Sequence, residues 1–86
     1  MSYFQIWKKV MNFLKEKDVA EVGSDSISNA ITWRYTNFSI EICITVFPTE
    51  RKVAYGIDNN GVKHVELLSN KEDIEEFKAR VNELLG

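Results

Sequence analysis

The chain has 86 residues, 44% of them hydrophobic and 28% charged, with a net charge of −2 at neutral pH. This length fits one small domain spanning residues 1–86, and the hydrophobic content excludes a disordered chain. The slight negative charge provides no general attraction to phosphate groups and so argues against nucleic acid as a partner.

The first predicted element is a helix over residues 3–18. Ser2 followed by Gln5 matches a capping box, which starts a helix. Apolar residues cover about half of the helical wheel, more than one packed face requires. The surplus residues are Phe4, Ile6 and Phe13. Either the helix is wedged between two apolar surfaces of its own chain, or these side chains contact a partner.

Four strands are predicted next, over residues 27–35, 38–47, 52–57 and 62–68, and residues 23–26 are predicted to be a loop. The strongest signal is the second of these strands, because its apolar residues occupy every alternate position: Phe38, Ile40, Ile42, Ile44 and Val46. Pro48 ends that strand, since proline has no amide hydrogen to donate.

Placing apolar residues opposite one another predicts how the strands pair. The last pairing assumes a three-residue loop that closes at Gly61 and brings Asp58 opposite Val62. The expected pairs are Trp33 with Ile40, Val46 with Val53, and Tyr55 with Val65.

A second helix is predicted to follow Ser69, which forms another capping box with Glu72. The fold class is therefore α+β in the order α-β-β-β-β-α: a four-stranded antiparallel meander with two helices packed on one face. The wide apolar arc of the first helix leaves one alternative open, with one helix on each face of the sheet.

The same pairing predicts the contents of the second face of the sheet, with Cys43, Gly56 and His64 in one row. Small residues at its centre would form a shallow depression that a second protein could enter, although a plain solvated face is the alternative. Together with the surplus residues of the first helix, the candidate partner-binding residues are Ala30, Thr32, Arg34, Cys43, Thr45, Phe47, Ala54, Gly56, His64, Phe4, Ile6 and Phe13.

Cys43 is the only cysteine, so no disulfide can form within the chain, which is typical of proteins in a reducing compartment. Gln5, Lys8 and Lys9 interrupt the apolar residues near the N-terminus and argue against a signal peptide. No apolar segment has the length of a membrane span. We therefore expect a cytoplasmic protein without a membrane partner.

These features favour a non-enzymatic protein–protein interaction module, a small adaptor or inhibitor whose partner is another protein or a second copy in a homodimer. No cofactor is expected. No metal is expected either, because one cysteine, one histidine and scattered carboxylates lack the four-ligand spacing that zinc prefers.

Two alternative functions remain. Single-stranded nucleic acid could bind the sheet, but most aromatic residues are predicted on the core side, and only a one-residue register error would expose them. Thiol chemistry at Cys43 is the other alternative, with His64 in the same row as a possible base.

Overall fold

The computed structural model describes residues 1–86 and contains two helices and five strands. The five strands form one antiparallel sheet in sequence order, so the predicted meander is confirmed with one strand more than expected. The elements are α1 (Tyr3–Lys15), β1 (Ala20–Ile27), β2 (Ala30–Asn37), β3 (Ile40–Phe47), β4 (Lys52–Asn59), β5 (Val62–Leu67) and α2 (Lys71–Leu85).

The additional strand is β1, which lies in the segment predicted to be mainly loop. Its sequence mixes polar residues with a few apolar ones that do not alternate, and almost every residue is exposed. It pairs with β2 as an edge strand, and the register shifts between Glu21 and Gly23. Such a register shift in an edge strand discourages further strands from pairing with it. Its sequence therefore resembles that of a loop.

Both helices pack on the same face of the sheet, as predicted. Trp7 of α1 lies 5.3 Å from Trp33 of β2, measured between ring centroids. Phe77 of α2 lies 4.8 Å from Tyr55 of β4 and 6.0 Å from Phe13 of α1. One core of fifteen buried residues results, all of them hydrophobic.

The helix ends follow the predicted chemistry, with small shifts in position. Ser2 and Gln5 form the predicted capping box of α1. In α2 the cap is Asn70 instead of Ser69, because the Asn70 side chain accepts a hydrogen bond from the Asp73 amide at 2.9 Å. Neither helix has the length and apolar character needed to cross a membrane.

The β2–β3 register differs from the prediction by four residues. Residues 38–39 form the turn, so Asn37 pairs with Ile40 and Trp33 lies opposite Ile44. A shift by an even number leaves each side chain on its predicted face. Phe38 is fully exposed in the turn with a φ of 55°, and it is not the first residue of the central strand. The β3–β4 register is confirmed, with Val46 opposite Val53.

The β4–β5 register differs by one residue, and this error reverses the faces of β5. Asn60 and Gly61 both have positive φ values, as a two-residue type I′ turn requires. The three-residue loop predicted here is therefore wrong. Tyr55 faces Glu66 instead of Val65. Every side chain of β5 consequently lies on the opposite face from the one predicted.

We expect Phe77→Ala to lower the free energy of unfolding by about 3–5 kcal/mol, because Phe77 is 0% exposed and its removal leaves a cavity between both helices and the sheet. Phe38→Ala is the matched control. Phe38 is 100% exposed, so a change below about 0.5 kcal/mol is expected. Urea unfolding followed by circular dichroism measures both, and equal losses would contradict this core.

Candidate interaction surface

The sheet face opposite the helices is covered by no element of the chain, and we call it the open face. Strand pairing sets two central rows of side chains across it, which are half-buried or exposed. One row contains Arg34, Cys43, Gly56 and Val65, and the next contains Thr32, Thr45, Ala54 and Leu67.

A trough of about 330 Å³ lies over β3, β4 and β5 on this face. Cys43, Ala54 and Gly56 form its floor, because their side chains are small or absent. Val65 lines one side of the trough, and Leu67 lies two residues further along β5 on the same face. We call these two side chains, which are 72% and 51% exposed, the apolar ridge. An apolar ridge therefore lies beside a shallow, largely apolar trough.

Gly56 is not required by the fold of its own chain. Its φ lies outside the left-handed region, and an added Cβ would lie 3.6 Å from the Val65 Cγ2 atom, an ordinary contact. A glycine inside a strand costs about 0.5–1 kcal/mol relative to alanine. In such positions glycine often marks the close approach of another molecule.

Charged side chains border the trough at one end. Glu41, Asp58 and Lys63 occupy one row across β3, β4 and β5. The Asp58 carboxylate accepts a hydrogen bond from the Gly61 amide at 2.9 Å. Glu41 and Lys63 form no ion pair within the chain. Neither charge is therefore neutralised by an ion pair within the chain.

The thiol of Cys43 is held in its protonated form. Burial raises its pKa, and Glu41 raises the pKa further through its charge and its hydrogen bond with the thiol, in which Sγ lies 3.7 Å from Oε1. Because the thiolate is the reactive form, Cys43 is a weak nucleophile at neutral pH.

His64 lies on the helix side of the sheet, which corrects its predicted place in the row of Cys43. It pairs with Ile57, its ring lies 5.9 Å from the ring of Tyr55, and its Nε2 atom lies 3.3 Å from a carboxylate oxygen of Glu66. Burial and the Glu66 carboxylate raise the pKa of Tyr55 to about 12. The sheet separates His64 from Cys43, so the two do not form a thiol–imidazole pair.

The three candidate residues on α1 have different positions. Phe4 is exposed, but Ile6 is buried in the core and is not accessible to a partner. Phe13 packs on Phe77, and the Nζ atoms of Lys17 and Lys78 lie 4.8 Å and 5.7 Å from its ring centroid. The wide apolar arc of α1 is explained because the helix packs against both the sheet and α2.

Eight of the nine predicted face residues do lie on the open face, and only His64 does not. Sequence reasoning missed Lys63, Val65 and Leu67, which the one-residue error had placed on the core side. The available signal was the Asn60-Gly61 pair, which favours a two-residue hairpin turn.

Aromatic side chains are scarce on the open face. Trp33, Tyr35 and Tyr55 all lie on the helix side, where Trp33 contacts Trp7 and both tyrosines are buried. Phe47 is the only aromatic residue on the open-face side of β2, β3 and β4. The face therefore lacks the aromatic platform on which single-stranded nucleic acids stack.

No group of three or more histidine, cysteine, aspartate or glutamate side chains is placed to hold a metal ion. No protein-family model matches the chain, and comparison with curated proteins and with solved structures found no significant match.

We expect Cys43 to react with iodoacetamide more slowly than a free thiol such as N-acetylcysteine, with the midpoint of its pH profile shifted to higher pH, because its pKa is raised. Glu41→Gln should increase the rate, since it removes a charge that disfavours the thiolate. Glu66→Gln makes the same change on the other face and should have no effect. A rate above that of the free thiol would contradict this description.

We expect Gly56→Ala to raise the free energy of unfolding by about 0.5–1 kcal/mol in dilute solution, since the chain has room for the methyl group. Gly61→Ala is the control. Its φ of 92° strains any other residue, so a loss of about 1 kcal/mol is expected. If Gly56→Ala destabilises the dilute protein, then Gly56 serves its own fold.

Proposed function

We propose that this protein is a non-enzymatic interaction module, a small adaptor or inhibitor that binds another protein through its open face. One observation carries the proposal: an apolar ridge and trough lie on a sheet face that nothing in the chain covers. Contiguous apolar surface of this kind marks interaction sites in small soluble domains.

The distribution of polarity on the face supports a protein partner. Binding would remove Val65 and Leu67 from water, which stabilises the complex by about 25 cal/mol for each Å² of apolar surface buried. Glu41, Asp58 and Lys63 border this apolar centre. An apolar centre with a charged rim is the usual anatomy of a protein–protein interface.

Other partners fit the face less well. Arg34 is already paired with Asp25, and the carboxylates of Glu41 and Asp58 would repel a phosphate backbone. The weakly nucleophilic Cys43 thiol supports a binding role over thiol chemistry. Its free state is typical of a reducing compartment, which supports a cytoplasmic location as part of the proposal.

The two exposed valines of β5 provide a matched test. Val65 and Val62 are 72% and 74% exposed, on the same strand but on opposite faces. The wild-type chain should capture a partner protein from native cell extract. We expect Val62→Lys to capture a similar amount of that protein and Val65→Lys to capture at least about tenfold less. Only the second substitution buries a charge at the interface.

Circular dichroism should first show that both variants are folded. Equal retention by all three chains would overturn the proposal. Retention that is abolished by nuclease treatment would also overturn it, because the bound species would then be a nucleic acid.

A further inference from the structure

We infer that the partner that fits the open face is a second copy of this chain, packed face to face about a two-fold axis that runs along β4. This inference rests on the proposed function of the open face and names the partner. It is carried by the shape of the face, by two charges that form no ion pair within the chain, and by the position of Gly56.

A two-fold axis along one strand places the strands on either side of it opposite each other. With the axis on β4, β5 of one copy lies over β3 of the second copy. Positions along the strands are preserved, so residues of the same row meet. The facing pairs are Val65 with Cys43, Leu67 with Thr45, and Lys63 with Glu41.

This arrangement makes the face complementary to itself in shape. The ridge of Val65 and Leu67 enters the trough of the second copy, and the reverse contact follows by symmetry. Along the axis, Ala54 and Gly56 face their own counterparts. Packed sheets are normally about 10 Å apart, and a strand of small residues lets two backbones approach more closely. This close approach of the two backbones accounts for Gly56, which the fold of the single chain does not require.

Charges also match across this interface. Lys63 and Glu41 have no ion-pair partner within one chain. The two-fold axis places Lys63 of each copy beside Glu41 of the other, which gives two pairs of opposite charge. Asp58 faces Asp58 of the second copy, but Lys63 is its neighbour across the strands in each chain. The two Lys63 side chains reduce the repulsion between these carboxylates without cancelling it.

Other face-to-face arrangements fit less well. An axis along β3 would place Glu41 against Glu41 of the second copy and Leu67 against Asp25, an apolar side chain on a charge. An axis across the strands would place ridge on ridge and trough on trough. Of these three arrangements, the axis along β4 is the one that places the ridge over the trough and Lys63 beside Glu41.

The contact area predicts a weak dimer. Three strands about 4.8 Å apart, overlapping over the six residues of β5 at about 3.3 Å each, provide a patch of roughly 300 Å² per copy. A standard stable interface buries about 800 Å² per partner. We therefore expect a weak, concentration-dependent equilibrium between monomer and dimer, to be measured at chain concentrations from about 10 μM to several hundred μM.

Sedimentation equilibrium across this concentration range, on the full chain and folded variants, tests the inference. The wild type and Val62→Lys should form dimers with similar constants, and Val65→Lys should weaken association at least about tenfold. Gly56→Ala should also weaken association about tenfold, although it stabilises the single chain, because its methyl group separates the two sheets.

A charge exchange tests the position of the axis. Lys63→Glu and Glu41→Lys should each weaken the dimer about three- to tenfold, because each places like charges together twice. The double variant should return to within about threefold of the wild type, since the pair is restored with its signs exchanged.

A chain that stays monomeric at all these concentrations would overturn the inference. A dimer that is insensitive to Val65→Lys, or a double variant as weak as the two single changes combined, would overturn it as well. If the chain is monomeric but captures a protein from extract, and only Val65→Lys abolishes that binding, this inference fails and the proposed function stands. If neither dimer nor such a protein is found, both fail.

Discussion

The pairing of β3 with β4 is the interaction on which the rest of the structure depends. On one face it places Ile44 beside Tyr55, and both are buried beneath the helices. On the other face it places Cys43 beside Gly56, where little side-chain volume exists. Both helices pack on the large apolar residues and neither packs on the small ones. The same hairpin thus forms the core and leaves the opposite face open.

The parts of the fold that sequence predicts are those in which one physical signal dominates. Ile42, Ile44 and Val46 alternate without interruption and Pro48 ends the strand, so β3 and its register with β4 follow directly. The Ser2 cap of α1 is predicted for the same reason, since one local interaction determines it. Both helices pack on one face of the sheet because the apolar side of each helix matches the apolar face of the strands.

Sequence does not predict the β2–β3 register, which is four residues from the expected one, and it does not predict the two edges of the sheet. The β1 strand is exposed on both faces and has no alternating apolar pattern, because its backbone pairing with β2 holds it in place and burial does not. In β5 the apolar residues Val62, Val65 and Leu67 do not alternate, so their pattern is compatible with two registers. The choice between a two-residue and a three-residue turn at Asn60-Gly61 decides between them.

That single choice changes the candidate site. With the three-residue loop, the open face would carry His64 in the row of Cys43, on the far side of Gly56, and would leave thiol chemistry as an alternative. With the observed turn it carries Val65 and Leu67, the apolar ridge next to the trough. The small residues Cys43, Ala54 and Gly56 lie on the open face as predicted, but the residues of β5 beside them are not the predicted ones. The binding proposal and the two-fold arrangement both depend on this ridge.

Intermolecular nuclear Overhauser effects test the central claim most directly, in a concentrated mixture of isotope-labelled and unlabelled chains. We predict effects from the methyl groups of Val65 and Leu67 to Cys43 and Thr45 of the second copy, and none from Val62. Within one chain Val65 and Cys43 are two strand spacings apart, about 9–10 Å between backbones. The absence of any intermolecular effect at the open face, or effects that arise only from Val62 or α1, would contradict the account.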